Sequence, residues 1–318
     1  MLAIGLVADS AWAQQTMVAR ALKGHGDPVY AATFSPDGVM MATASFDKTL
    51  KLWEAPSGKL LRTFEGHQNL VLCVAFTPDG KRLVSGSLDN TVKLWDIPAT
   101  TDAKPSVAPA KNLAGHKGQV YGVAVSPDGK QIASSSADGS IRLWDLAEGK
   151  ELKQLAGHQG AVYSVAYSPD GQSLVSAGAD KTIRLWNVAA GNVVKQFTGS
   201  EDAVYTVAVS PDGKQIVTGG PDKTVRLWDI ASGNQLKTLT GHPDDIYRVV
   251  FSPSGKRAVS CGYGGTIMVW DTASGNPLLK QRQPGVIYHV AYSPDGKQLV
   301  VSAADSQAHV LDLPEAAR

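Results

Sequence analysis

Short apolar runs recur along the chain about every 42 residues, and the fourth copy shows their order most clearly. Val162–Tyr167 is apolar with no polar face, which is typical of a strand covered on both sides. Residues 168–171, Ser-Pro-Asp-Gly, follow in the order that suits a type I turn. Ser173–Gly178 and Ile183–Asn187 are rich in small and β-branched residues and predict two more strands, and the looser residues 193–198 predict a fourth.

Each copy therefore predicts a four-stranded antiparallel sheet whose two faces are both apolar. Such a sheet cannot bury its faces alone, so successive copies must stack against one another. Seven copies with a period in the range of 40 to 45 residues indicate a ring of sheets.

Three features frame the strands in most copies. A Gly-His pair precedes the first strand, the Ser-Pro-Asp-Gly turn follows it, and a Trp-Asp pair or a variant such as Trp186-Asn187 closes the third strand. These features resemble the WD40 repeat, in its bacterial type with near-identical copies. The resemblance covers residues 16–313 and implies an all-β fold, a seven-bladed β-propeller of four-stranded antiparallel blades. Residues 1–15 are then a leader or signal-peptide remnant, and residues 314–318 a C-terminal tail.

The two ends of the chain are predicted to complete one blade together. Residues 17–23 align with the fourth strands of the other copies, and the last copy ends after its third strand, at Leu313. The N-terminal strand should therefore join the last blade, because that blade would otherwise expose an unpaired edge.

One connection is longer than the others. The spacing between Trp95 and Trp144 is 49 residues because residues 98–111, rich in Pro, Ala and Thr, are inserted between a third and a fourth strand. This composition predicts a flexible loop on the face that carries the Ser-Pro-Asp-Gly turns.

The first residues carry an incomplete export signal. Residues 2–8 are apolar and residues 11–13, Ala-Trp-Ala, have the form of a signal peptidase site, but Asp9 interrupts the segment and no positive n-region precedes it. Two interpretations stay open. If translation starts upstream of Met1, the protein is periplasmic or extracellular and is cleaved after Ala13; otherwise these residues are the frayed N-terminus of a cytoplasmic protein.

A histidine, a strand hydroxyl, a turn aspartate and a tryptophan recur together in four copies. Serine, histidine and aspartate could suggest a nucleophilic triad, but an enzyme needs one triad and not several. The resemblance implies a structural relay in which the four groups satisfy one another's hydrogen bonds. The predicted relay residues are His25, Thr43, Asp47 and Trp53; His67, Ser85, Asp89 and Trp95; His116, Ser134, Asp138 and Trp144; and His158, Ser176, Asp180 and Trp186.

Three copies depart from this relay and are predicted to be less well braced. Ser200 replaces the histidine in the fifth copy, and Gly264 replaces the aspartate in the sixth. The seventh keeps Asp305 but has Val301 and Leu311 in place of the hydroxyl and the tryptophan.

Charge and motifs exclude several function classes. The formal net charge is +1 and no run of Lys or Arg occurs, so nucleic acid is not an expected partner. His289 and His309 have no Cys, Asp or Glu at metal-ligand spacing, so zinc is not expected and both histidines should be satisfied or solvated. Haem and phosphate-loop motifs are missing as well, and neither a cofactor nor a catalytic residue is predicted. Cys73 and Cys261 fall in the second and sixth copies, so a disulfide between them is not expected.

A basic residue lies two positions before the tryptophan in five copies. The predicted arrangement has the long stems on neighbouring aromatic surface and the charges in water. A basic ring for an acidic partner is the alternative. The residues are Lys51, Lys93, Arg142, Arg184 and Arg226.

Tyrosine is the most informative repeated residue. Six of the nine tyrosines open the first strand of a copy, on the face of the Gly-His loops, and should circle the mouth of a central channel. The resemblance implies that this position and the residue before the turn aspartate are frequent contact sites. Near-copied repeats that inherited a packing residue would give the same pattern. The predicted partner-binding residues are Tyr30, Leu72, Tyr121, Tyr163, Tyr205, Tyr247 and Tyr288, with Phe46, Leu88 and Tyr263 before the aspartates.

The sequence favours a monomeric, non-catalytic scaffold that binds a protein or peptide on the channel-mouth face. The alternative is a propeller enzyme or small-ligand receptor with its site at the central channel. A continuous aromatic surface would favour the scaffold, and diverged polar residues at the channel would favour the alternative, since the fold alone does not confer a function.

Overall fold

The computed structural model describes Met17, residues 19–98 and residues 106–318, and these form seven β-sheets arranged in a ring. The innermost strand of each sheet packs against the innermost strands of both neighbours around a central channel. The candidate leader and its cleavage site after Ala13 lie outside the described residues, so export stays a prediction. Within the described part of the chain, no helix has the length and apolar character needed to cross a membrane.

Each sheet is one propeller blade, and its strands follow one another from the channel outward. Blade 1 contains β2 (Val29–Phe34), β3 (Met40–Ser45), β4 (Thr49–Glu54), β5 (Leu60–Glu65) and β9 (Ser106–Val107); blade 2 contains β6 (Val71–Phe76), β7 (Arg82–Ser87), β8 (Thr91–Asp96) and β10 (Lys111–Ala114). Blade 3 contains β11 (Val120–Val125), β12 (Gln131–Ser136), β13 (Ser140–Asp145) and β14 (Glu151–Ala156); blade 4 contains β15 (Val162–Tyr167), β16 (Ser173–Gly178), β17 (Ile183–Asn187) and β18 (Asn192–Phe197). Blade 5 contains β19 (Thr206–Val209), β20 (Gln215–Gly219), β21 (Val225–Asp229) and β22 (Gln235–Leu239); blade 6 contains β23 (Ile246–Phe251), β24 (Arg257–Gly262), β25 (Thr266–Asp271) and β26 (Pro277–Arg282). Blade 7 contains β27 (Ile287–Tyr292), β28 (Gln298–Ala303), β29 (Gln307–Asp312) and β1 (Ala19–Lys23), and a 3-10 turn, Glu315–Ala317, follows it in the chain.

Blade 4 shows how the sequence sets the local structure. Its first three strands have the predicted bounds, and its fourth begins one residue earlier than predicted. In the first turn, the Gly171 N–H donates to the Ser168 carbonyl at 2.9 Å and the Ser168 hydroxyl donates to Asp170 at 2.5 Å. Gly171 has a φ of +70°, which glycine adopts without strain, and the matching glycine of every other blade also has a positive φ.

The predicted closure of the ring is confirmed. β1 pairs antiparallel with β29, with Arg20 opposite Val310 and Leu22 opposite Ala308. The N-terminal strand is therefore the outer strand of blade 7, and it covers the edge that the last copy leaves open.

The prediction that residues 98–111 form a loop throughout is wrong. Ser106–Val107 pairs in parallel with Thr63 and Phe64 of β5 and adds a fifth strand to blade 1. The Ser106 hydroxyl also donates to Glu65 at 3.0 Å, and Lys111 already belongs to β10. The physical reason is that the outer strand of blade 1 offers unpaired backbone groups, which a nearby extended segment can satisfy.

The hydrophobic core lies between neighbouring sheets. The cluster between blades 4 and 5, for example, joins Val175 and Ile183 to Val207, Ile216 and Trp228. Each of the seven clusters draws its side chains from two adjacent blades. Stacking in a ring is therefore what buries the second face of every sheet.

Candidate functional site

Six tyrosines from six blades surround one cavity of about 300 Å³ at the mouth of the channel. They are the residues predicted from the repeat, and each is half-buried, so one part of every ring packs while another part faces the cavity. We refer to them as the tyrosine collar; its members are Tyr30, Tyr121, Tyr163, Tyr205, Tyr247 and Tyr288.

A β-bulge at the start of the first strand positions the tyrosine. In blade 4, Val162 pairs with Gly178. The next pair in the ladder is Ser164 with Ala177, so Tyr163 has no partner in the second strand. The same shift occurs at this place in blades 1, 2, 3, 6 and 7. A bulge re-aims side chains, and here both the tyrosine and the residue after it line the channel.

The collar rings contact one another in an almost continuous arc. The ring centroids are 5.3 Å apart for Tyr121 and Tyr163, 5.2 Å for Tyr163 and Tyr205, 6.1 Å for Tyr205 and Tyr247, 6.2 Å for Tyr247 and Tyr288, and 5.1 Å for Tyr288 and Tyr30. The arc is interrupted at blade 2, where Leu72 holds the position and is buried. Burial raises the phenol pKa of Tyr30, Tyr121, Tyr205, Tyr247 and Tyr288 above its usual value, which already keeps a phenol protonated at neutral pH.

The residues before the turn aspartates extend this surface unevenly. Phe46 stacks on Tyr30 with ring centroids 5.6 Å apart. Tyr263 meets Tyr247 edge-on at 6.5 Å and is 59% exposed, which makes it the most open aromatic ring of the set. Leu88 is half-buried in blade 2, the blade that lacks a collar tyrosine.

The relay residues of blade 4 form a chain of hydrogen bonds. Trp186 Nε1–H donates to Ser176 Oγ at 2.8 Å, and the Ser176 hydroxyl lies 2.7 Å from His158 Nε2. His158 Nδ1 lies 3.0 Å from the Asp180 carboxylate. Ser176 is fully buried, so no substrate can reach its hydroxyl, and this arrangement braces the blade. Blades 1, 2 and 3 repeat the three contacts at 2.7 to 2.9 Å in the sets His25, Thr43, Asp47 and Trp53; His67, Ser85, Asp89 and Trp95; and His116, Ser134, Asp138 and Trp144.

Burial sets the ionisation of the relay. It lowers the pKa of all four histidines below 6.5, although the neighbouring aspartate raises each of them in part. Burial would raise the pKa of the aspartates, but the hydrogen bonds that they accept outweigh it and lower the pKa, to about 2 for Asp180. The relay therefore pairs a neutral imidazole with a carboxylate.

The three divergent blades keep only fragments of the relay. In blade 5, Trp228 still donates to Thr218 at 3.0 Å, and in blade 6 Trp270 donates to Ser260 at 2.9 Å. His242 of blade 6 uses Nδ1 on the Asp244 carbonyl, and its Nε2 is buried without a partner. Blade 7 has apolar Val301 and Leu311 in these places, and Asp305 contacts His309 at 2.8 Å.

The basic residues before the tryptophans do not extend their charges into water, and that prediction is wrong. Arg226 pairs with Asp222 at 2.5 Å and Arg184 with Asp180 at 3.4 Å, in both cases with nearly buried side chains. The reason is that each charged head meets a side-chain oxygen of its own blade. Arg142 likewise contacts Glu151, Lys93 contacts Asn112, and Lys51 contacts Thr63.

Two residues that line the channel were not predicted from the sequence to do so. Arg248 and His289 follow collar tyrosines and line a cavity of about 80 Å³ beneath the collar. His289 was expected to be satisfied or solvated, but its Nδ1 is buried without a hydrogen-bond partner, because the bulge turns it into the channel. The signal was present in the repeat, since the position after the tyrosine is short-chained elsewhere: Ala31, Cys73, Gly122, Ser164 and Thr206.

Comparison with protein families agrees with this architecture. The model described as "WD domain, G-beta repeat" matches residues 16–54, 58–96 and 108–145, and the model described as "IFT122 first beta-propeller" matches residues 161–316. Fold and matches together define a seven-bladed β-propeller built from sequence repeats. The chain therefore contains WD40 repeats, and propellers built from such repeats are commonly non-catalytic scaffolds for protein interaction.

Proposed function

We propose that this protein is a non-catalytic scaffold that binds a protein or peptide at the tyrosine collar. The observation that supports the proposal is the almost continuous arc of half-buried tyrosine rings around the channel mouth. Tyrosine offers a large, rigid surface and a hydroxyl at small entropic cost, and aromatic residues dominate many binding interfaces. A contiguous aromatic surface on a folded protein usually marks an interaction site.

The double variant Tyr163→Ala and Tyr205→Ala tests this proposal. The full chain is immobilised, partners are captured from the source cells, and the affinity of each captured protein is then measured with purified components. The variant should weaken binding by about 2 kcal/mol or more, roughly 30-fold in Kd, because two adjacent aromatic contacts are lost. Circular dichroism and thermal melting should show that the fold persists.

A matched control removes apolar side chains from another surface. Val194 and Leu236 lie on outer strands and are 57% and 48% exposed, so alanine at both positions should leave partner binding unchanged. Loss of the fold without a selective loss of binding in the tyrosine variant would show that the collar only packs, and the binding surface would then have to be sought on the opposite face.

A second candidate function has its own supporting observation. Arg248 and His289 are diverged polar residues inside the channel, which suits a receptor for a small ligand. In that case the collar would surround the entrance of the site instead of forming the whole interface.

A further inference from the structure

The floor of the channel is asymmetric. Five blades contribute a short side chain directly after the first-strand position of the collar, whereas blades 6 and 7 contribute Arg248 and His289. These two residues, together with Cys73, Gly122 and Ser164, line the cavity of about 80 Å³ that the collar tyrosines cover. The cavity is therefore lined by Arg248 and His289 from blades 6 and 7 and by short side chains from the other blades.

Arg248 carries a positive charge that the described protein does not balance. Its side chain forms no hydrogen bond or ion pair with a described residue, and its Nε is shielded from water without a partner. The titratable groups that act on the guanidinium are Cys261, Cys73 and Tyr30. Burial raises the pKa of all three, to about 12 for Cys73, so each is neutral at pH 7 and none supplies a counter-charge.

His289 adds a polar group but no charge. Burial, and after it the neighbouring Arg248, lowers the pKa of His289 well below 6.5, although a contact with the backbone of Ala32 raises it in part. The neutral ring leaves Nδ1 without a hydrogen-bond partner. Buried polar atoms without a partner are rare, and they point to a ligand group or an ordered water in the cavity.

The charge count selects the ligand chemistry. An enclosed guanidinium without a counter-ion is unfavourable, so an anion that enters the channel gains a strong partner. One positive charge balances a monoanion, whereas a phosphate dianion would leave one charge uncompensated. The guanidinium fork also matches the two oxygens of a carboxylate.

We propose that Arg248 binds the carboxylate of a ligand whose slender remaining part lies among the rings of the tyrosine collar. The carboxylate fits the smaller floor cavity, and the rest of the ligand occupies the cavity of about 300 Å³ above it. The proposal rests on the channel site, which is the second candidate function, and names the chemistry of its ligand. It does not depend on protein binding by the collar.

Isothermal titration calorimetry with 3-phenylpropanoate, at constant ionic strength and on the full chain, tests the site. The acid should bind with a stoichiometry of one, and the neutral 3-phenylpropanamide should bind at least about tenfold more weakly, because only the acid offers a counter-charge. Arg248→Met should weaken binding of the acid at least about tenfold. Arg248→Lys keeps the charge but loses the guanidinium fork, so its affinity for the acid should lie between those of the natural chain and Arg248→Met.

A surface charge provides the matched control. Lys150 lies in a turn between outer strands with a side chain 79% exposed, so Lys150→Met makes the same charge change away from the channel and should bind the acid like the natural chain. Equal affinity of the natural chain and Arg248→Met for the acid, equal affinity for acid and amide, or no binding of any carboxylate probe would each overturn the proposal.

Thermal melting separates binding from folding defects. Without ligand, Arg248→Met should melt at the same or a higher temperature, because an apolar side chain replaces an uncompensated charge. The acid should raise the Tm of the natural chain but not that of Arg248→Met. If Arg248→Met does not fold, the comparison of acid with amide on the natural chain and on Arg248→Lys still tests whether Arg248 binds the carboxylate.

A second probe identifies where the carboxylate comes from. N-acetylglutamate methylamide carries the same group on a peptide backbone, so its tighter binding would indicate an acidic side chain of a protein partner, and tighter binding of 3-phenylpropanoate would indicate a free organic acid. If no carboxylate binds but partners are still captured at the collar, the channel site is contradicted and the scaffold function is retained. If carboxylates bind but no partner is captured at the collar, the scaffold function is contradicted and the channel site is retained.

Discussion

In the relay of blade 4, each group donates one hydrogen bond to the next. Trp186 donates to the Ser176 oxygen, which leaves the serine hydrogen to donate to His158 Nε2. His158 Nδ1–H then donates to Asp180. This direction requires a neutral histidine, because a proton on Nε2 would face the hydroxyl hydrogen. The lowered histidine pKa is consistent with that state.

Ser176→Ala should lower the free energy of unfolding by about 2 to 4 kcal/mol, since it leaves both the Trp186 N–H and His158 Nε2 without partners in a buried site. Ser260→Ala in blade 6 is the matched control, because the Ser260 oxygen accepts from Trp270 while His242 Nε2 is already unpartnered. It should cost about half as much. Urea denaturation measures both variants, and equal losses would mean that the histidine contact contributes nothing.

Acid should destabilise the protein from about pH 6.5 downward. Because the folded pKa values of the relay histidines are lowered, the unfolded chain binds protons that the folded chain does not. Stability is complete above the unfolded value of 6.5 and falls below it by up to about 1.4 kcal/mol per pH unit for each histidine. The relay aspartates, with lowered folded values, add a further loss as the pH falls below their unfolded value of 3.8. Urea midpoints from about pH 8 to about pH 4.5 test this, and a midpoint that rises on acidification would contradict it.

The sequence predicted the residues that repeat and missed those that do not. The relay and the collar were found because the same residue type returns at the same place in several copies. The place of Arg248 and His289 in the channel was not predicted for the opposite reason, since they break the pattern at a position that the other blades fill with short side chains. Departures from local consistency concentrate at functional positions, so comparing the copies for differences would have found the channel floor.

At the scale of the strand, the turn residues carried most of the information. The Ser-Pro-Asp-Gly turns fixed where the first strand ends and the second begins, and the strand bounds in blade 4 follow from them. β9 could not be predicted in this way. Two residues in a Pro-rich segment have no period, and their pairing depends on the free edge of β5, which belongs to another blade.

Deletion of residues 1–24 should destabilise the whole ring. It removes β1, exposes the edge of β29 and withdraws Leu22, which is 1% exposed, from the core between blades 7 and 1. Loss of such a side chain alone typically costs about 2 to 5 kcal/mol. Thermal melting and size-exclusion chromatography should show a lower Tm and association through the open edge.

Deletion of residues 314–318 is the control for that truncation. It removes the 3-10 turn and the buried Ala317 but no strand of any blade, so its effect should be clearly smaller. If the chain without residues 1–24 melts like the full protein, β1 does not close the ring in solution.

Across the whole molecule, each blade is coupled to its two neighbours in the ring, but only some blades are stabilised by a complete relay. Every core cluster is shared by two blades, so unfolding of one blade exposes apolar surface on both neighbours. The complete relays lie in blades 1 to 4, and the blades that lack them, 5 to 7, are consecutive. The ring therefore has a continuous braced arc and a continuous weaker arc, which ends where β1 pairs with β29.

Native-state hydrogen exchange should reveal these two arcs. Amides of β28 in blade 7 should exchange roughly 5- to 150-fold faster than those of the equivalent β16 in blade 4, because a complete relay contributes on the order of 1 to 3 kcal/mol to the local opening free energy. The control is Ser176→Ala, which breaks the relay of blade 4 and should bring the exchange of β16 toward that of β28 while leaving β28 nearly unchanged. Mass spectrometry of peptides covering the two strands provides the measurement. Uniform protection around the ring, unaffected by Ser176→Ala, would show that the shared clusters make the propeller open only as a unit and that the relays do not set local stability.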